Sequence, residues 1–242
     1  MIVNAEKDIG VVDDNDRRGS TTIPLKQQHF VLVHGMSGGG WCWYKIRCLM
    51  ENSGYKVILV GHSAGGMSVT QACHKFANKI RVAVYLAATM LKLGFWNDDD
   101  LKIGVPDFSK FGDVFELGFG LGHHNPPTSA LVKKEFQREI FSHLSPHEDC
   151  TLAAMLLRPG PMVALTSAKF RDDGEVEKVP RVFIKTKHDK VVTPEQQEAM
   201  IKRWSPCTVY ELDSDHSPFF STPFLLFGLL VKLAASDVGC TR

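Results

Sequence analysis

From residue 29 onward, short unbroken apolar runs alternate with longer stretches in which apolar positions recur every three or four residues. The runs predict strands over 29–33, 57–60, 81–86, 181–186 and 208–212, and the periodic stretches predict helices over 43–52, 64–77, 194–203 and 223–235. Strands that are apolar throughout suit a sheet buried on both faces, so the alternation predicts a mostly parallel sheet with helices on either side. Two helix starts are marked in the same way. Thr193-Pro194 and Thr222-Pro223 each set a capping threonine before a proline at the first helical position.

Between about 92 and 178 the pattern changes, with Gly and Pro separating short helical pieces such as 128–144 and 148–157. An insertion of this size in an α/β sheet is expected to form a helical cap over the site, with Phe115, Phe119 and Leu121 as candidate pocket residues. Residues 1–28 mix acidic, basic and small residues without apolar periodicity and predict a disordered tail, too acidic for a transit peptide. The division expected is thus a tail over 1–28 and a single domain over 29–242, with the cap at about 92–178.

Composition narrows the function classes. A formal net charge of +1 over 242 residues gives no electrostatic case for nucleic acid or a membrane surface. No apolar run approaches the ~20 residues of a membrane span. Six cysteines without C-x-x-C or zinc-ligand spacing predict reduced thiols and a cytoplasmic protein.

The chemistry enters at Gly61-His-Ser-Ala-Gly65, directly after the apolar run 57–60 and before a helix-compatible stretch. A G-x-S-x-G sequence between strand and helix is a nucleophile elbow, with Ser63 at its tip and glycines where side chains would collide. Serine needs a base to take its proton, and that base needs a carboxylate to fix its tautomer. In this architecture the order is Ser, then acid, then His, the last two in loops after strands. Asp189 follows the predicted strand 181–186 and His216 follows 208–212, so both requirements are met. Asp213 and Asp215 adjoin His216 but are expected to shape its turn, Asp215 by an Asx hydrogen bond. His188 is expected at the surface. The pairs His123/His124 and His143/His147 have no third ligand at suitable spacing, so no metal is expected. The backbone N–H of Ala64, after the nucleophile, and of Met36, in the glycine-rich loop 34–40, are the expected oxyanion donors. That loop lacks the Lys-Ser/Thr of a phosphate-binding loop.

Three segments carry a family resemblance: His-Phe-Val-Leu-Val-His-Gly at 29–35, Trp-Cys-Trp-Tyr-Lys at 41–45, and Val-Ile-Leu-Val-Gly-His-Ser at 57–63. Together they resemble the plant methylesterase family of α/β hydrolases, which also includes hydroxynitrile lyases. Residues 178–186 and 211–221 are most similar to the branch that demethylates methyl indole-3-acetate. The resemblance implies the α/β-hydrolase fold, Ser63, Asp189 and His216 as a triad, and Met36 and Ala64 as oxyanion donors. It also implies a small carboxylic methyl ester as substrate, no cofactor and, by analogy, a homodimer. The lyases place a lysine after the catalytic histidine; Ser217 stands there in this chain, which argues against cyanohydrin cleavage.

One stretch departs from the family pattern. Members place a further strand and helix between the first loop and the nucleophile strand, whereas here Gly54-Tyr-Lys-Val57 runs directly into Ile58. About one strand–helix unit, ~30 residues or more, is missing. The first helix must then make the crossover to the nucleophile strand alone, on the wrong face or with the wrong hand. The strand 29–33 is expected to become a sheet edge. Two rival functions stand beside ester hydrolysis: an impaired or inactive esterase variant, and a receptor-like hydrolase that binds a ligand and signals through partners.

Overall fold

The computed structural model describes residues 2–3, 30–51, 58–96, 98, 101, 105–172 and 174–236. Its main sheet has six strands, β1 (Ile2–Val3), β2 (Phe30–Val33), β3 (Ile58–His62), β4 (Ala83–Leu86), β8 (Arg181–Thr186) and β9 (Thr208–Leu212), side by side in that order. All pairs are parallel except β1 with β2. Alternate residues of each strand point to opposite faces and feed two cores. Ile58, Val60, Val84, Leu86, Val182 and Ile184 pack on one side. Leu59, Ala83, Tyr85 and Phe183 pack on the other.

Helices α1 (Tyr44–Glu51) and α8 (Pro223–Ala235) cover the first face, where Ile46 and Trp43 meet Leu226, Leu230 and Leu233. Helices α2 (Gly65–Phe76) and α6 (Pro194–Arg203) cover the second through Met67, Val69, Cys73 and Met200. The crossovers β2–α1–β3, β3–α2–β4 and β8–α6–β9 all step the same way across the sheet. Because α1 lies on the face opposite α2 and α6, its crossover has the opposite hand to theirs. Right-handed connections are the rule in ~98% of such units, which makes the α1 connection the left-handed exception. The junction 52–57 itself lies outside the described residues.

Other differences from the sequence pattern have local causes. The strand Phe30–Val33 is not the sheet edge, because Ile2 and Val3 pair antiparallel with Val31 and Phe30. Those two residues come from the expected tail, the rest of which lies outside the described residues. Residues 128–144 are not one helix. Ser129–Val132 forms β6, flanked by β5 (Phe115–Gly118) and β7 (Gly160–Pro161) in a small antiparallel sheet, and α3 (Lys134–Phe141) begins only after Lys133, whose ψ of 141° is not helical. Helix α4 (His147–Leu156) and the short α5 (Met162–Thr166) complete this region. Thr193 caps α6 through a reciprocal bond pair with Gln196, but Thr222 makes no side-chain cap to α8 and instead donates to the Pro218 carbonyl. Cys207 is disulfide-bonded, correcting the expectation of six reduced thiols.

Candidate active site

The carboxyl ends of β2, β3, β8 and β9 open on one edge of the sheet, where ligands of parallel α/β folds are bound. Register brings the neighbours level: Val33 lies beside Gly61, and Thr186 beside Leu212. The loops leaving those strands carry the residues singled out by the sequence.

Ser63 sits between β3 and α2 with φ 53°, in the left-handed region that costs a non-glycine residue roughly 1–2 kcal/mol. Three backbone bonds hold it there: its N–H donates to the Leu86 carbonyl, and its own carbonyl accepts from Gly66 and Thr89 at 3.0 Å each. The glycines on either side leave no room for a side chain. A Cβ on Gly61 would stand 2.5 Å from Val69 Cγ2, and one on Gly65 would stand 2.6 Å from the His34 carbonyl oxygen. The turn is thus wedged between helix α2 and the loop after β2. That loop passes directly over the serine, since a Cβ on Gly35 would lie 2.7 Å from Ser63 Cβ. Met36 within it lies so close to Gly160 of β7 that a Cβ there would stand 2.1 Å from Met36 Cγ, and the Ser37 carbonyl accepts from Arg158 N at 3.0 Å, so β7 and the residues before it hold the loop from above.

Asp189 and His216 meet behind this turn. His216 Nδ1 donates to Asp189 Oδ2 at 2.8 Å, and both side chains are almost fully buried. The carboxylate takes three more bonds: Thr186 Oγ1 to Oδ2 at 2.9 Å, and the N–H groups of Val191 and Val192 to Oδ1. Four donors on two oxygens fix the plane of the Asp189 carboxylate. With Nδ1 donating to a carboxylate, the lone pair of His216 lies on Nε2. Gln197, fully buried on α6, ties this loop to the sheet by donating to the Thr186 and Val192 carbonyls and accepting from Thr186 N.

A cavity of about 1020 Å³ lies above these groups, at the upper end of the ~300–1,000 Å³ usual for small-molecule sites. Met36, Ser63, Ala64 and His216 all line it, while Asp189 lies behind His216, outside the lining. The walls are mostly apolar, with Trp41, Met67, Trp96, Phe141, Leu165 and Phe219 prominent. Of the expected pocket residues Phe115 lines the cavity, but Phe119 and Leu121 do not, and Leu121 is 69% exposed.

The remaining candidates separate cleanly. Asp215 Oδ1 accepts from Ser217 N at 2.9 Å, the expected Asx turn. Its Oδ2 does something the sequence did not indicate, accepting from Leu144 N and Ser145 Oγ. Ser217 Oγ donates to the Phe141 carbonyl at 2.9 Å. The residues on both sides of His216 are therefore tied to the turn between α3 and α4. Asp213 pairs with His188 at 2.7 Å on the surface, away from Asp189. Among the described residues, no three His, Cys, Asp or Glu side chains are grouped to hold a metal ion.

The elbow, the buried acid–histidine pair and the cavity agree with what the chain resembles in sequence. A model described as "Alpha/beta hydrolase family" matches residues 48–227. Methylesterase 17 of Arabidopsis thaliana is 51% identical over 256 residues, covering 87% of this chain and 93% of its own length. The chain belongs to the plant methylesterases of the α/β-hydrolase family. It is accordingly a carboxylic ester hydrolase. Pheophorbidase of Raphanus sativus is 38% identical, covering 84% of this chain and 93% of its own. The crystal structure of the methylesterase MES16 from Arabidopsis superposes with a TM-score of 0.73 at 37% identity, covering 84% of this chain and 97% of its own. The aligned 87% of this 242-residue chain is about 210 residues, so a 256-position match leaves Methylesterase 17 with about 45 residues that the chain lacks. No described helix is long and apolar enough to cross a membrane.

Proposed function

We propose that the enzyme hydrolyses a small aromatic methyl ester of the methyl indole-3-acetate type through Ser63, His216 and Asp189. Ser63 Oγ attacks the ester carbonyl as His216 Nε2 takes its proton, and Asp189 stabilises the resulting imidazolium. The N–H groups of Met36 and Ala64 receive the oxyanion, each worth ~3 kcal/mol in the transition state. His216 returns the proton to the departing methanol. Water activated by the same histidine then splits the acyl-enzyme and frees the acid. No step requires a cofactor.

The observation that carries this reading is the Asp189–His216 pair at 2.8 Å, set behind a strained Ser63 that opens on the same apolar cavity. The acyl group is proposed from segments 178–186 and 211–221, which resemble the branch acting on methyl indole-3-acetate. An impaired variant is the second reading, favoured by the opposite-hand crossover and the missing residues. Methanol release from methyl indole-3-acetate by the purified protein, beside Ser63→Ala, separates the two. Turnover abolished by the substitution supports the esterase. Turnover no greater than the Ser63→Ala control supports the impaired variant.

A further inference from the structure

His62 is the last residue of β3 and the neighbour of Ser63, and nothing in the reaction just described uses it. Strand alternation points it to the same face as Val60, and its edge also lines the floor of the cavity. There it is 6% exposed, yet polar. Its Nε2 lies 2.7 Å from the backbone carbonyl oxygen of His216, 154 positions later in the chain. A carbonyl only accepts, so Nε2 must carry the proton and the tautomer is fixed. The ring is braced edge-on by Phe219 at 4.9 Å and by Trp43 at 6.4 Å, and lies 4.7 Å from the His216 ring. Its other edge faces the loop after β2: a Cβ on Gly35 would stand 3.1 Å from Nδ1. Burial, with the positive charge of a protonated His216 second, pushes its pKa well below the ordinary histidine value and keeps the ring neutral.

One imidazole therefore touches three separate parts of the machinery: the elbow through the chain, the loop bearing Met36 across Gly35, and the backbone of His216 by a hydrogen bond. An apolar side chain would fill the same space without desolvating a ring N–H, so packing does not account for a histidine here. We propose that His62 is a positioning residue that holds His216 at the correct distance from Ser63 by donating Nε2–H to the His216 carbonyl. The inference rests on the reading of Ser63 and His216 as nucleophile and base.

The test compares wild type, His62→Gln and His62→Leu. Glutamine reaches about as far as Nε2 and keeps an N–H donor, but buries a larger polar group; leucine fills the space and donates nothing. Three quantities are measured on each: kcat and KM for methyl indole-3-acetate, the rate at which a fluorophosphonate labels Ser63, and Tm. A misplaced base costs ~10²-fold, so His62→Leu should lose about that in kcat and labelling with KM within about threefold, while His62→Gln stays within about tenfold of wild type. Tm should run in the reverse order, with leucine at or above glutamine. That crossing of activity and stability is what a merely structural histidine could not produce. The inference is overturned if activity follows Tm across the three proteins, or if His62→Leu labels and turns over at the wild-type rate. A wild-type protein inert to both ester and fluorophosphonate would overturn the esterase reading and this inference together.

Discussion

Two glycine-to-alanine substitutions, each inside a helix, should act in opposite directions. Alanine is the better helix former by about 1 kcal/mol, so propensity alone favours both changes. Gly228 lies in α8 with nothing within 4 Å of an added Cβ, and Gly228→Ala should collect that gain. Gly65 opens α2, where the same methyl group meets backbone: the His34 oxygen at 2.6 Å and the Val33 oxygen at 2.9 Å. Ordinary contact begins near 3.4 Å, so 3.4 less 2.6 leaves 0.8 Å to be found by moving the elbow or the loop that carries Met36. Neither obstacle is a flexible side chain. Overpacking of this kind costs about 1–3 kcal/mol, and a displacement near 1 Å at the reacting groups costs ~10² in rate. Gly65→Ala should therefore lower kcat by about two orders of magnitude. At roughly 2–4 °C per kcal/mol for a chain of this size, its Tm should fall by about 2–12 °C, and that of Gly228→Ala should rise by about 2–4 °C. Steady-state ester hydrolysis and thermal melts read both. Retention of activity within threefold in Gly65→Ala would refute the argument that this glycine holds the nucleophile turn against the loop.

Asp189→Asn preserves shape but removes the acceptor that selects the His216 tautomer, and a loss of ~10³–10⁴ in kcat with little change in Tm is expected from steady-state kinetics. Asp215→Ala leaves Leu144 N, Ser145 Oγ and Ser217 N without their acceptor. Unsatisfied buried donors cost about 1–3 kcal/mol each, so its urea midpoint should drop clearly below that of wild type. Stability should also fall with acid. His62 and His143 both have pKa values held below the ordinary one, chiefly by burial, so the unfolded chain binds protons that the folded one refuses. Their contribution is complete above about pH 6.5 and is lost as pH falls, by at most ~1.4 kcal/mol per pH unit for each group. Urea midpoints between pH 8 and 5 check this, and His62→Gln should flatten the slope.

The candidate site was legible because its chemistry is written locally. Gly61-His-Ser-Ala-Gly65 specifies a turn by sterics alone, and Asp189 and His216 each follow a strand whose apolar run is unmistakable. What the sequence hid depends on contacts across the fold. Ser129–Val132 reads as the start of a helix until Phe115–Gly118 pairs with it. The second oxygen of Asp215 finds Ser145 70 positions away. His62 looks like motif filler until its Nε2 reaches the His216 carbonyl. Ile2–Val3 has too few residues for any periodicity to register, and only its pairing with β2 gives it a place.

The loss of residues relative to Methylesterase 17 leaves the candidate-site edge contiguous for a topological reason. The strands that carry the chemistry, β2, β3, β8 and β9, form one contiguous block with β4 among them. On the far side of β2 from the rest of that block, Ile2–Val3 pairs with it. The loss therefore interrupts no strand pairing within that block. It acts instead on α1. That helix and the turn Gly40–Trp43 before it keep the face of Leu226, Leu230 and Leu233, because moving both to the other face would expose the fully buried Trp43 and Ile46. Burying a large apolar side chain is worth about 1.5–3 kcal/mol, so two of them set about 3–6 kcal/mol against the cost of a disfavoured hand. The elbow, the acid and the histidine thus stand on the contiguous block, and the cost of the shortening falls on the α1 connection.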